Sequence, residues 1–269
     1  HMIDYSTAAY SPAMTETFEG MGIDVVRTPL GAGMGIGFNW NKHPFELKEV
    51  RQAFAYIIDR VQNAEVANGK SGNPFKYMSG LPDSAAEVWV PNILDELNPY
   101  NKDWAKAEEL LTSVGFTKGD DGIWVDDTGA KMEYTIMVPG TWIDTLGTAT
   151  DAAEQLTNFG IKVEVQPYQD TERVKIMGEG NFDLIADLHG SYYNPPHPYR
   201  FFELNLMPFF NDPENPSTPG MGIPYEWEFE GETINLRDLI IEMVKGTDTA
   251  AQIPSIEKMI KLYNENLLT

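Results

Sequence analysis

"GAGMGIGFNW", residues 31–40, sets glycine at Gly31, Gly33, Gly35 and Gly37 in strict alternation. Two folds compete for this stretch. A dinucleotide-binding loop of the G-x-G-x-x-G type follows a strand and opens directly into a helix, whose N-terminus holds the pyrophosphate. Begun at Gly31, that pattern demands glycine at 36, where Ile36 stands; begun at Gly33, it demands glycine at 38, where Phe38 stands. No helical periodicity opens directly behind it. A β-strand accounts for the residues better, because alternation puts Ala32, Met34, Ile36 and Phe38 on one face and the glycines on the other. The glycine face is then bare, and a backbone, a packed side chain or a ligand can approach it closely. Close protein packing is the expected use.

On either side of it, segments of period 2 and period 3.6 alternate, which predicts an α/β fold; the class expected is a mixed sheet flanked by helices. "IDVV" (23–26) reads as a strand. A helix opens near Glu46, with Val50, Phe54, Ile57, Ile58 and Val61 on one buried face and Gly69 as the stop for it or for a short continuation. A second helix lies in "NKDWAKAEELLTSVGF", where Ala107, Leu110, Leu111 and Val114 line one side and Gly115 ends it. "GIWVDDTGAKMEYTIMV" reads as a hairpin around "DDTG". Residues 143–159 form a helix ending at Gly160, "IKVEVQPY" a strand, "TERVKIMGEG" a short helix and "FDLIADL" a further strand. Residues 189–233, rich in Pro, Asn and aromatics, read as a long irregular segment, and two helices close the chain.

The 269 residues suffice for one large domain; His1 and Met2 read as a cloning remnant, leaving 3–269 as a single α/β unit. With 41 acidic against 19 basic side chains the formal charge is −22, which disfavours a nucleic-acid or anionic-membrane partner. The absence of cysteine removes disulfides, thiolate metal sites and a thiol nucleophile. "AEVANGKS" (64–71) nearly matches a phosphate loop, but Ala64 replaces its first glycine and a helix precedes it. His43, His189 and His197 share no zinc-ligand spacing, and no G-x-S-x-G elbow occurs. The acid pairs Asp120–Asp121 and Asp126–Asp127 sit in turns, where carboxylates bond nearby backbone. No catalytic residue, metal or cofactor is expected.

The run "FNWNKHPFELKEVRQAFAYIIDR" (38–60) resembles the signature of the family 5 extracellular solute-binding proteins, the peptide, nickel and oligosaccharide receptors of ABC importers. A strand ending in Phe38 and Asn39 leads through Pro44 and Phe45 into a helix close to "VRQAxAYAIDR". "NPYNKDWAKAEELLTSVGF" is similar to the family's "AKxLLxxAGF" helix, and Gly180, Asn181, Phe182, Asp183 and Leu184 match its "GxFDL" segment. The resemblance runs from about Val25 to the end of the chain. It implies one lobe of a type II periplasmic-binding-protein-like fold, the carboxy-terminal lobe, with the amino-terminal lobe of the same parent chain as its partner across a cleft. It further implies a small-molecule ligand, an ABC permease partner in the membrane, an extracellular, periplasmic or cell-surface location, and a monomer.

In the family's peptide-binding branch a tryptophan follows "FDL", and an aspartate three positions on pairs with the peptide amine. The resemblance places His189 at the tryptophan position and Tyr192 at the aspartate position, so the amine anchor is missing, with Asp187 as a substitute carboxylate. A buried ammonium without its charge partner loses much of its binding energy. Tyr192, Tyr193 and Asn194 combine flat apolar faces with hydroxyl and amide groups, which suit uncharged polyhydroxyl ligands. Trp40, Trp142, Tyr225 and Trp227 offer further stacking surfaces. The expected ligand set is therefore Trp40, Asp187, His189, Tyr192, Tyr193 and Asn194, for an oligosaccharide ahead of an oligopeptide. Two rivals are a signalling or chaperone-like interaction protein of the same fold and a glycosidase, the latter requiring two facing carboxylates.

Overall fold

The computed structural model describes residues 10–27, 32–190, 197–206 and 221–269, with backbone alone at 32, 174, 187–190 and 205. The main sheet is built from β1 (Ala32–Phe38), β4 (Glu133–Pro139), β5 (Lys162–Tyr168) and β6 (Leu184–Gly190). Its order is β1-β6-β4-β5; β4 runs parallel to both β5 and β6, and β1 runs antiparallel to β6. The sheet is mixed, the class expected of this chain. Two small ribbons accompany it, β2 (Thr117–Lys118) with β3 (Trp124–Val125) and β7 (Glu226–Phe229) with β8 (Glu232–Asn235).

Helices α2 (Lys48–Ile57), α3 (Arg60–Asn68), α5 (Trp104–Ser113) and α6 (Ile143–Phe159) form the principal helical layer, α6 resting on β4, β5 and β6, α3 on α6, and α2 on α5. Phe38 meets Phe45 and Phe54 at ring separations of 5.7 and 5.6 Å, which locks the end of β1 to α2. Helices α8 (Pro198–Asn205), α9 (Leu236–Glu242) and α10 (Thr249–Asn266) complete the core, α8 packing on β6. Helices α1 (Pro12–Gly20), α4 (Asp83–Trp89) and α7 (Arg173–Glu179) are short connectors.

The bare face of β1 is occupied by protein. A Cβ at Gly33 would lie 2.1 Å from Phe75 Cζ, and one at Gly37 would lie 2.6 Å from Met221 Cε and 3.0 Å from Ile185 Cγ2. Phe75 comes from the aromatic excursion after α3, so the glycines make room for side chains delivered from elsewhere in the chain.

Four expectations change. Residues 23–26 are irregular, with Val26 82% exposed, because they have no sheet neighbour to pair with. The helix read from Glu46 is two helices: Ile58 is extended, and Asp59 caps α3 by accepting from the Val61 and Gln62 amides. The break turns Val61 out to 66% exposure. The hairpin around "DDTG" pairs only beside its turn, since β4 departs to pair with β5 and β6. Finally, the segment read as irregular contains α8 and the β7–β8 hairpin, whose turn residues Glu230 and Gly231 have φ of 51° and 81°. That positive pair is the geometry a two-residue hairpin turn requires.

Candidate functional site

The residues that carry the sequence signature hold the lobe together. The Asn39 side-chain amide donates to the carbonyls of Gly180 and Phe182 at 2.9 and 2.8 Å, while its Oδ1 accepts from the Asn41 amide. Lys42 pairs with Asp183 at 2.8 Å, and the same carboxylate accepts from the Thr135 amide and hydroxyl. Burial pushes the Asp183 carboxyl up, but the bonds from Lys42 and Thr135 outweigh it and hold it below its ordinary value. The two motifs, some 140 residues apart, are thus one joint between β1, β4 and β6. Arg51, 1% exposed, donates to the carbonyls of Phe45, Asn266 and Leu267. Burial lowers its pKa to about 9, so it remains a cation at neutral pH. Arg60 does a similar service for the carbonyls of Phe75, Pro99 and Tyr100.

The candidate crevice lies elsewhere, at the carboxyl ends of the parallel strands. There β4 ends at Pro139, β5 at Tyr168 and β6 at Gly190, and β1 begins at Ala32, the register partner of Gly190. Two contacts tie the first two loops together: the Gly140 amide donates to the Tyr168 carbonyl at 2.9 Å, and the Thr141 hydroxyl to Asp170 at 2.7 Å. Half-buried Trp142 caps this edge at the start of α6. Open α/β sheets bind ligands in the crevice outside such carboxyl ends, where the strand order reverses. In this sheet β6 separates β4 from the antiparallel β1.

Asp187 and His189 both lie in the carboxyl half of β6, and their register partners are Gly35 and Gly33. Tyr192, Tyr193 and Asn194 lie outside the described residues. Trp40 does not join this group. It follows β1 at the end where Phe38 pairs with Leu184, the first residue of β6, and six residue steps along a strand amount to about 20 Å. It is 7% exposed, its indole N–H donates to the Leu268 carbonyl at 3.2 Å, and its ring packs under Arg51 and edge-on to Trp227 at 5.5 Å. Trp227 and Tyr225 are partly buried against the same core as Trp40, and Trp142 alone of the four follows the carboxyl end of a parallel strand.

A cavity of about 140 Å³ lies beside β1, lined largely by hydrocarbon from Met34, Phe54, Phe75, Met78, Tyr263 and Leu267. Phe75 and Met78 come from the segment 69–82, whose sequence has no periodicity that foretells where it folds back. Among the described residues no helix is long and apolar enough to cross a membrane.

Sheet order, strand directions and crevice define the periplasmic-binding-protein fold. Solved structures of that fold are similar over nearly the whole chain. The mannohexaose-bound periplasmic oligopeptide-binding protein of Thermotoga maritima superposes with a TM-score of 0.68 at 20% identity, covering 96% of this chain and 48% of that one. NikA of Brucella suis, in complex with Fe(III)-EDTA, gives 0.73 at 20% identity with the same coverages. A curated relative, described as a probable ABC transporter-binding protein of Deinococcus radiodurans, is 28% identical over 148 residues, 52% of this chain and 24% of its own. The family model of bacterial extracellular solute-binding proteins, family 5 Middle, matches residues 2–206. The chain belongs to the bacterial extracellular solute-binding proteins of family 5, which are binding receptors and not enzymes. It spans about half the length of the solved structures it resembles and a quarter of that curated relative.

Proposed function

We propose that this chain is one lobe of the substrate-binding component of an ABC importer and forms one wall of its ligand cleft. The observation that carries this reading is the carboxyl edge of the sheet, where Asp187 and His189 on β6 stand opposite Gly35 and Gly33 in register. A second lobe in the parent chain supplies the facing wall; coverage of about half of each similar structure supports this division. Closure of the two lobes around the ligand shifts the population from open to closed, and the closed form presents its surface to a membrane permease on the extracellular side.

The ligand is a neutral oligosaccharide, and Tyr192, Tyr193, Asn194 and Trp142 supply stacking faces and hydrogen-bonding groups. In favour stand the tyrosine at 192, which offers a peptide amine no carboxylate, and the mannohexaose in one of the similar structures. That same protein is described as an oligopeptide receptor, so the second reading is a peptide whose amine meets Asp187. The protein works as a monomer. Thermal-shift screening of the two-lobe parent chain against neutral oligosaccharides and di- to nonapeptides tests the assignment, because a ligand at a hundredfold excess over its Kd adds about 2.7 kcal/mol of stability. A shift confined to peptides contradicts it.

A further inference from the structure

We propose that His43, Asp126 and Asp127 form a binding site for a divalent cation of the zinc class, at the end of the lobe away from the ligand crevice. His43 stands in the turn that leads into α2; the two aspartates open the tight turn between β3 and β4. His43 Nε2 lies 2.8 Å from Asp127 Oδ1 and 3.8 Å from Asp126 Oδ2, and one ligand atom from each residue falls within 4.8 Å of the others. A tetrahedral zinc ion with bonds of about 2.1 Å holds its ligand atoms roughly 3.4 Å apart, inside this range.

Two of the three ligands, His43 and Asp126, are already oriented. His43 Nδ1 is 2.7 Å from Glu46 Oε1, the carboxylate-to-imidazole arrangement that steers the opposite ring nitrogen toward a metal. With the Nδ1 proton given to Glu46, the Nε2 lone pair faces a carboxylate oxygen at hydrogen-bond distance, and only a positive particle between them makes that contact attractive. Asp126 spends Oδ1 on the Thr128 amide and hydroxyl and the Ala130 amide, at 2.9, 2.6 and 2.9 Å. Its Oδ2 is left to face Nε2. Among the described residues, the ion-pair partner of Glu46, Asp126 and Asp127 is His43 alone. Three carboxylates around one imidazole call for more positive charge than a single proton brings, and a dication supplies it. Imidazole with carboxylate oxygens suits zinc and its neighbours. Asp127 is half exposed, so the remaining coordination position opens to water. The ligands come from 84 residues apart in the chain, which is why no local spacing announces them.

A bound ion would staple the α2 entry to the β3–β4 turn. The test is calorimetric titration of ZnCl2 into chelator-treated protein, with thermal melts in zinc and in EDTA. One equivalent is expected to bind the parent sequence and raise its melting temperature. His43→Gln and Asp127→Asn abolish both effects, Glu46→Gln weakens binding about 10- to 100-fold, and Asp120→Asn changes neither. His1 is common to all these proteins, so any zinc held there remains as a constant background. If His43→Gln fails to fold in EDTA, Asp127→Asn, at an exposed position, decides the matter. Identical isotherms for the parent, His43→Gln and Asp127→Asn, or no zinc-dependent stabilisation of the parent, overturn the site and leave a protonated His43 between its carboxylates.

Discussion

The Arg51 guanidinium sits 3.5 Å over the ring of Trp40, and both side chains are almost wholly buried. The pair joins the start of α2 to the last described turn of the chain, since Arg51 bonds the Asn266 and Leu267 carbonyls and Trp40 the Leu268 carbonyl. Arg51→Ala is expected to cost at least about 3 kcal/mol, because several charge-assisted hydrogen bonds vanish and leave buried carbonyls unpaired. Arg51→Lys keeps the charge but loses the planar fork and should cost about 1–2 kcal/mol. Urea unfolding of the three proteins measures the series. Trp40→Phe should cost about 1 kcal/mol of stability through the lost N–H bond and leave ligand affinity unchanged, as its position at the far end of β1 requires.

The glycine face of β1 has a similarly direct consequence. Gly33→Ala puts a methyl group 2.1 Å from Phe75 Cζ, so the ring must move. The expected loss is about 1–3 kcal/mol, the usual cost of overpacking. Combining it with Phe75→Leu should recover part of that loss, which a double-mutant cycle in urea reads as a non-additive term. Strict additivity would show that the two residues do not meet.

Acid stability follows from Asp183. Its folded pKa is depressed below the ordinary 3.8, so its contribution is present above that value and is lost as pH falls through the folded one. Asp126 behaves alike: burial raises its carboxyl, but the bonds from Thr128 and Ala130 and the field of His43 carry it below its ordinary value. Urea midpoints measured from pH 5 downward should therefore fall for the parent protein. Asp183→Asn should start lower and fall less steeply, having given up the Lys42 pair in advance.

On the proposed oligosaccharide reading, Tyr192→Ala and Trp142→Ala in the two-lobe protein should each weaken binding by roughly 0.5–1.5 kcal/mol, the worth of one aromatic contact. Asp187→Asn should leave that affinity nearly intact, whereas a peptide ligand would lose its ammonium partner. Equilibrium titration separates the two.

The motifs were legible because each is a local pattern with a local cause: alternation made β1 a strand, and the apolar spacing over Val50, Phe54 and Ile57 made a helix. What escaped was set by distant partners. At the break after Ile58 the Asp59 amide, freed from the helix, donates to Gln155 Oε1 from 96 residues away. Trp40 looks like a stacking surface in sequence, and only the antiparallel register of β1 on β6 removes it from the crevice. The signature that revealed the family proved to be a scaffold signature: Asn39, Arg51 and Arg60 bond backbone carbonyls. Such residues identify a fold well and its ligand poorly.

This chain is proposed as one wall of a two-walled cleft. Calorimetric titration of the same neutral oligosaccharide panel into this chain alone and into the two-lobe parent tests it most directly, since affinity depends on burial from both sides. Saturable binding by the two-lobe parent and weak or undetectable heat from the single lobe are expected. Tight binding by the lobe alone would rule out the two-walled cleft, whereas silence of the parent toward every oligosaccharide would pass the same cleft to a peptide ligand.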